Sequence, residues 1–127
     1  MLTEAIYTIL AADSTLTAAC DIYNTNAPKE AANPCLIYAI QNQDPNYSKD
    51  GAASVIFTDL EIDIFVNGTP KTGHTIADLV KSALDQYTGT VNSIDIDLIQ
   101  YEGQDDRGYN PDRDEYQISM GFRVRQK

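Results

Sequence analysis

Apolar residues recur along this chain in two rhythms, and each change of rhythm marks an element boundary. Near the start, Leu2, Ile6, Ile9 and Leu10 fall on one stripe at helical spacing. Thr3 stands where a helix cap belongs, and Leu2 can staple onto Ile6 or Tyr7. This predicts a first helix to about Ala12, an interruption at Asp13 and Ser14, and a second short helical turn from Thr15 to Cys20, followed by an Ile22-Tyr23 segment. Asn24 to Pro34, which carries Pro28 and Pro34, reads as a loop.

Period-two alternation then takes over. Cys35 to Gln41 reads as a strand and Asp44 to Gly51 as a turn-rich excursion. From Ser54 to Asn67, Ile56, Leu60, Ile62, Ile64 and Val66 share one face, while Asp59, Glu61, Asp63 and Asn67 share the other. Gly68-Thr69-Pro70 ends that strand. Helical spacing returns in Ile76, Leu79, Val80, Ala83, Leu84 and Tyr87, predicting a helix from Thr69 or Thr72 to about Tyr87 with Gly89 as its stop. Two more strands follow: Asn92 to Glu102, with Ile94, Ile96 and Leu98 in phase, and Glu115 to Arg125, with Tyr116, Ile118, Met120, Phe122 and Val124 in phase. The polar stretch Gly103 to Asp114 between them reads as a second long loop.

Strands apolar on one side only belong to a sheet with one packed and one polar face. The expected fold is therefore α+β: a mostly antiparallel four-stranded sheet with two long hairpins, one face packed by the N-terminal helix and the central helix. The sheet becomes mixed if the second and third strands run parallel through that helix. About fourteen strand residues span roughly 46 Å, whereas about sixteen helical residues span roughly 24 Å. The helix cannot cover the strand. Val55, Ile56, Phe57 and Tyr116 would then lie open to water unless a neighbouring subunit covers them, or unless the loops fold back and a bulge shortens the strand.

At 127 residues the chain fits one domain, 1–127. Nine Lys and Arg against nineteen Asp and Glu leave a net charge of −10, which disfavours nucleic acid and anionic membranes as partners. No apolar run approaches the roughly 18 residues of a membrane span. Met1 to Ile6 lacks the basic and apolar regions of a secretion signal, so a cytoplasmic start is expected. Cys20 and Cys35 lie fifteen apart with no CxxC and no nearby His, which fits two reduced thiols better than a disulfide or a zinc site.

Asp59, Glu61 and Asp63, with Asp95 and Asp97 on another strand, are the one carboxylate cluster that could hold a metal or do acid/base work. Neighbours on one strand face stand roughly 6.6 Å apart, so one ion would need ligands from two strands, and no His joins them. A solvated or subunit-facing sheet surface suits them better, with Arg or Lys of a neighbour opposite. His74, the only histidine, falls in the first turn of the long helix as an exposed or capping residue. No nucleophile elbow, Walker loop, HExxH or dinucleotide fingerprint occurs, so an enzyme would be an unmarked, acidic, metal-dependent one.

An ordered set of segments resembles one family nearly end to end. These are Ala5-Ile6-Tyr7-Thr8-Ile9-Leu10-Ala11-Ala12-Asp13 followed by Leu16, then Ile22-Tyr23, Pro34-Cys35-Leu36-Ile37-Tyr38, and Tyr109-Asn110-Pro111-Asp112 leading into Tyr116-Gln117-Ile118-Ser119-Met120-Gly121-Phe122-Arg123-Val124. The chain is similar to the tail completion, or tail-to-head joining, proteins of long-tailed phages. The resemblance implies a non-enzymatic virion protein without a cofactor. Such a protein caps the tail tube as a ring of six, stops tube polymerisation and offers a surface to the head connector. It implies as partners further copies of the chain, the tail tube protein and a head connector or stopper protein, at the head–tail junction of the virion after assembly in the host cytoplasm. A head-side connector in the neck is the alternative. Candidate contacts are Asp59, Glu61 and Asp63 on the polar strand face, with Tyr47, Lys49 and Asp50 in one long loop and Arg107, Tyr109, Asp112 and Arg113 in the other.

Overall fold

Asp13 separates the first two helices by its own conformation. Its backbone is extended and its carboxylate accepts the N–H groups of Thr15 and Leu16 at 3.0 and 3.3 Å, capping α2 (Ser14–Ala19) just after α1 (Leu2–Ala11). The computed structural model describes residues 2–25, 34–47, 53–67, 70–111 and 114–126. After α2 the chain runs through β1 (Asp21–Asn24), β2 (Cys35–Tyr47), β3 (Ala53–Val66), α3 (Pro70–Leu84), β4 (Gly89–Val91), β5 (Ile94–Asn110) and β6 (Glu115–Gln126).

One sheet has the strand order β1-β2-β3-β6-β5-β4, so the described residues form six strands rather than the expected four. The two additional strands, β1 and β4, have four and three residues and are too short to show alternation. Both expected hairpins are present, β2–β3 and β5–β6, and they join through the antiparallel β3–β6 pair. β3 and β5 do run in the same direction, but β6 lies between them, so the sheet is mixed for another reason: β1 pairs parallel with the start of β2.

The hairpin strands are longer than their sequence pattern. Residues 44–47, expected as a turn, continue β2 and pair with β3, with a register shift between Asn46 and Tyr47. Pro45 is tolerated there because β1 flanks β2 only as far as Tyr38, which leaves a neighbour on one side only among the described residues. Gly103 to Asn110, expected as a loop, continue β5 opposite β6. Gly103 and Gly108 hold φ of +144° and +91°, which a side chain would resist, and each follows a register shift.

Leu60, Ile62, Ile64 and Val66 of β3 and Ile118, Met120, Phe122 and Val124 of β6 are all buried on one face. Ile6 and Leu10 of α1 and Ile76, Val80 and Leu84 of α3 pack into the same cluster. Gly73 lets α3 approach closely, since a Cβ there would stand 2.7 Å from Ile118 Cδ1 and 3.2 Å from Val66 Cγ2. The helix ends at Leu84, and Gln86 takes a left-handed φ of 62°, so Gly89 begins β4 instead of stopping the helix.

Seventeen residues make β5 about 56 Å long, against about 22 Å for the fifteen of α3, so the hairpins outrun the helical layer. Their apolar ends are less open than expected. Ile56, Phe57 and Tyr116 are half-buried within the chain, and the side chain of Val55 lies outside the described residues. No described helix is long and apolar enough to cross a membrane.

Candidate assembly surface

The sheet face turned away from the helices carries the polar positions of β3 and β6. Asp59 stands opposite Arg123, Glu61 opposite Gly121 and Asp63 opposite Ser119. The Ser119 hydroxyl donates to Asp63 Oδ1, and Gln117 Nε2 donates to the same oxygen at 3.3 Å. Gln41 Nε2 donates to Glu61 Oε2 at 2.9 Å. The carboxylates expected to await a neighbour's cations are thus partly engaged inside the chain.

Three bulges in β5 shape the other side of this face. Against β6, residues 97, 102 and 107 are the extra ones, five apart, and all three are charged: Asp97, Glu102 and Arg107. A bulge re-aims its side chain. Asp97 accepts an ion pair from Arg125 Nε at 2.9 Å. Arg107 Nε donates to Ser119 Oγ at 3.2 Å, and its Nη2 lies 4.0 Å from Glu61 Oε1. Ser119 therefore links β5, β6 and β3 through one hydroxyl that accepts from Arg107 and donates to Asp63.

Between the β3 and β5 walls lies an open trough of about 670 Å³ whose floor includes Gly103 and Gly121, a cross-strand pair without side chains. The Arg123 guanidinium lies at one end, 4.6 Å from the centre of the Phe57 ring. On the opposite face, His74 of α3 reaches Asp106 at 3.5 Å and is exposed, as expected.

The remaining candidates separate. Tyr109 is 46% exposed, rests on Tyr116 with ring centres 4.9 Å apart, and donates its hydroxyl to Asp114. That bond holds the Tyr109 phenol above its ordinary pKa. Tyr47 continues β2 opposite Ala53, with its side chain outside the described residues. Lys49, Asp50, Asp112 and Arg113 lie outside the described residues altogether. Asp95 and Asp97 do not join the β3 carboxylates: Asp95 accepts from Thr90 at 2.8 Å, and Asp97 pairs with Arg125. Among the described residues no three His, Cys, Asp or Glu are placed to hold a metal ion. Sequence reasoning missed Ser119, Arg123, Gly103 and Gly121 as members of this face. A glycine interrupting the alternation of the last strand was the available signal for Gly121.

Among the described residues, long hairpin arms, a helical layer on one face and a networked polar face on the other define a structural building block with surface to spare for neighbours. The model of the family "Tail completion protein gp17" matches residues 4–127, and the chain belongs to that family of structural phage tail proteins. A chain of the "Virion of native gene transfer agent (GTA) particle" shares the fold, with a TM-score of 0.78 at 20% identity over 98% of this chain and 93% of that one. No curated protein sequence matches the chain.

Proposed function

We propose that this chain closes the end of a phage tail tube as a ring of six copies, stops the tube's growth and presents the surface on which the head docks. The observation that carries the proposal is the family match over residues 4–127. The fold shared with a chain of a virion supports it. On this proposal the chain's partners are its own copies, the tube protein and a head connector, and its place in the virion is the head–tail junction.

Physics asks two things of a terminator. A tube grows through heterologous contacts that can repeat, so a cap must match the open end on one side and present something different on the other. This chain has two unlike faces: helices on one side of the sheet, and the Glu61, Arg107, Ser119 and Asp63 network on the other. Asp59, Glu61, Asp63 and Arg107 on the polar face are the proposed contacts, together with Tyr47, Lys49, Asp50, Tyr109, Asp112 and Arg113. Six copies at −10 each would carry about −60, so a lumen bordered by such subunits would let DNA pass without adhering.

The test is genetic and microscopic. Particles assembled without this chain should give DNA-filled heads unjoined to tails, and tails of abnormal length. Tails of normal length already joined to heads would contradict the proposal, and protein found only on tail-less heads would point to a head-side connector.

A further inference from the structure

We propose that Asn67 is a site of spontaneous modification, where the backbone nitrogen of Gly68 attacks the side-chain amide and turns the residue into aspartate or isoaspartate. This goes beyond the proposed function and does not rest on it.

Asn67-Gly68 is the one Asn-Gly pair in the sequence. The reaction needs no reagent other than water. A bond forms between the Gly68 nitrogen and Asn67 Cγ, the Cγ–Nδ2 bond breaks, and ammonia leaves behind a five-membered succinimide ring. Water then opens the ring. Opening at the main-chain carbonyl gives isoaspartate, and opening at the side-chain carbonyl gives aspartate. The attacking nitrogen gives up its proton, so base speeds the step. A following glycine favours it, because a residue without a Cβ neither crowds the nitrogen nor restricts the backbone.

The fold leaves this asparagine open. Asn67 is exposed and lies beyond the last rung of both ladders of β3, Phe65 with Cys35 on one side and Val66 with Tyr116 on the other. Among the described residues no hydrogen bond holds its side chain. Asn92, in the turn between β4 and β5, is held: its Nδ2 donates to the Thr8 hydroxyl at 2.8 Å and to the carbonyl of Glu4 at 3.3 Å. Asn24 pairs with Tyr38 in β1, and its Oδ1 accepts from Thr25 Oγ1 at 3.1 Å. Asn110 precedes Pro111, whose nitrogen has no proton to lose. Isoaspartate carries the main chain through Cβ and Cγ, which lengthens the joint between β3 and α3. That joint is fixed at both ends, since Val66 is fully buried and Gly73 packs so closely that a Cβ there would stand 3.2 Å from Val66 Cγ2. The longer joint loosens α3 on the sheet, and either product takes the net charge from −10 to −11.

The test incubates the full chain in warm, mildly alkaline buffer, native in one arm and unfolded in urea in the other, and reads each asparagine by peptide mapping with mass spectrometry. Asn67 should convert in the native chain within about threefold of its unfolded rate, whereas folding should slow Asn92 by about tenfold or more. The aged native chain should unfold at a lower temperature than the fresh one. Asn67→Gln, which cannot close the five-membered ring, should keep its fresh midpoint after the same incubation. Folding that slows Asn67 by about tenfold or more, native conversion of Asn92 as fast as that of Asn67, or an Asn67 that stays an amide in both arms would overturn the proposal. A fully converted chain with an unchanged midpoint would overturn the loosening of α3.

Discussion

The Tyr38 hydroxyl donates a 3.0 Å hydrogen bond to the carbonyl of Thr3, tying the middle of the first hairpin to the first turn of α1 across 35 residues. Tyr38 is buried at the helix–sheet boundary, so its phenol has exchanged water for one partner. Tyr38→Phe should lower stability by about 1 kcal/mol, read as a shift in the urea midpoint with an unchanged slope.

Burial, reinforced by Cys35 and then Asp21, pushes the Cys20 thiol from 9.0 up to about 11. The folded state therefore favours the neutral thiol. The stability this contributes is fully present below pH 9 and is lost as pH rises through 11. The loss should be on the order of 2 to 3 kcal/mol across that window, and Cys20→Ala should flatten it. Denaturation curves at pH 8.5, about 10 and about 11 in both proteins check this, and an equal fall in the variant would contradict it.

The bulge at Asp97 makes a sharper test of the second hairpin. Because one extra residue reverses the phase, Leu98 is 37% exposed and Ile99 fully buried, although Leu98 was expected in phase with Ile94 and Ile96. Ile99→Ala should cost about 2 to 4 kcal/mol and Leu98→Ala less than about 0.5. The opposite order would mean that the strand has no bulge there.

The same bulges explain why parts of the fold were legible in the sequence and parts were not. Leu60, Ile62, Ile64 and Val66 alternate without a break because β3 lies between two strands over a single packed face, and the pattern predicts both strand and face. β5 slips by one at each of residues 97, 102 and 107, so its second half loses all periodicity and resembles a Gly-bearing loop. Pairing with β6, a tertiary effect, makes it a strand. β1 and β4 hold too few residues to carry a pattern, and the end of α3 depends on Gln86 accepting a left-handed φ that glycine usually supplies. The β3 carboxylates were visible as a group, but their partners were not. Ser119 meets Asp63, and Arg107 meets Glu61, only through a register across three strands that spacing along one strand cannot reveal.

Ser119 is the joint of that network, buried at 5% exposure, and Ser119→Ala removes both its bonds at once. It leaves Asp63 with Gln117 and deprives Arg107 Nε of its acceptor. A loss of about 1 to 3 kcal/mol is expected, whereas Arg107→Ala, at a half-exposed site, should cost less than about 1 kcal/mol. A double-mutant cycle between the two positions, by urea denaturation, should show coupling. Strict additivity would mean that the hydroxyl does not bridge them.

The most direct measurement is electron microscopy of purified tails from particles lacking this chain, mixed with the purified protein. Ring-shaped density of six copies at one end of the tube, with those tails now able to join heads, is the predicted result. Tails with bare ends, or with protein bound along their sides, would contradict the assignment of this chain as the cap of the tail.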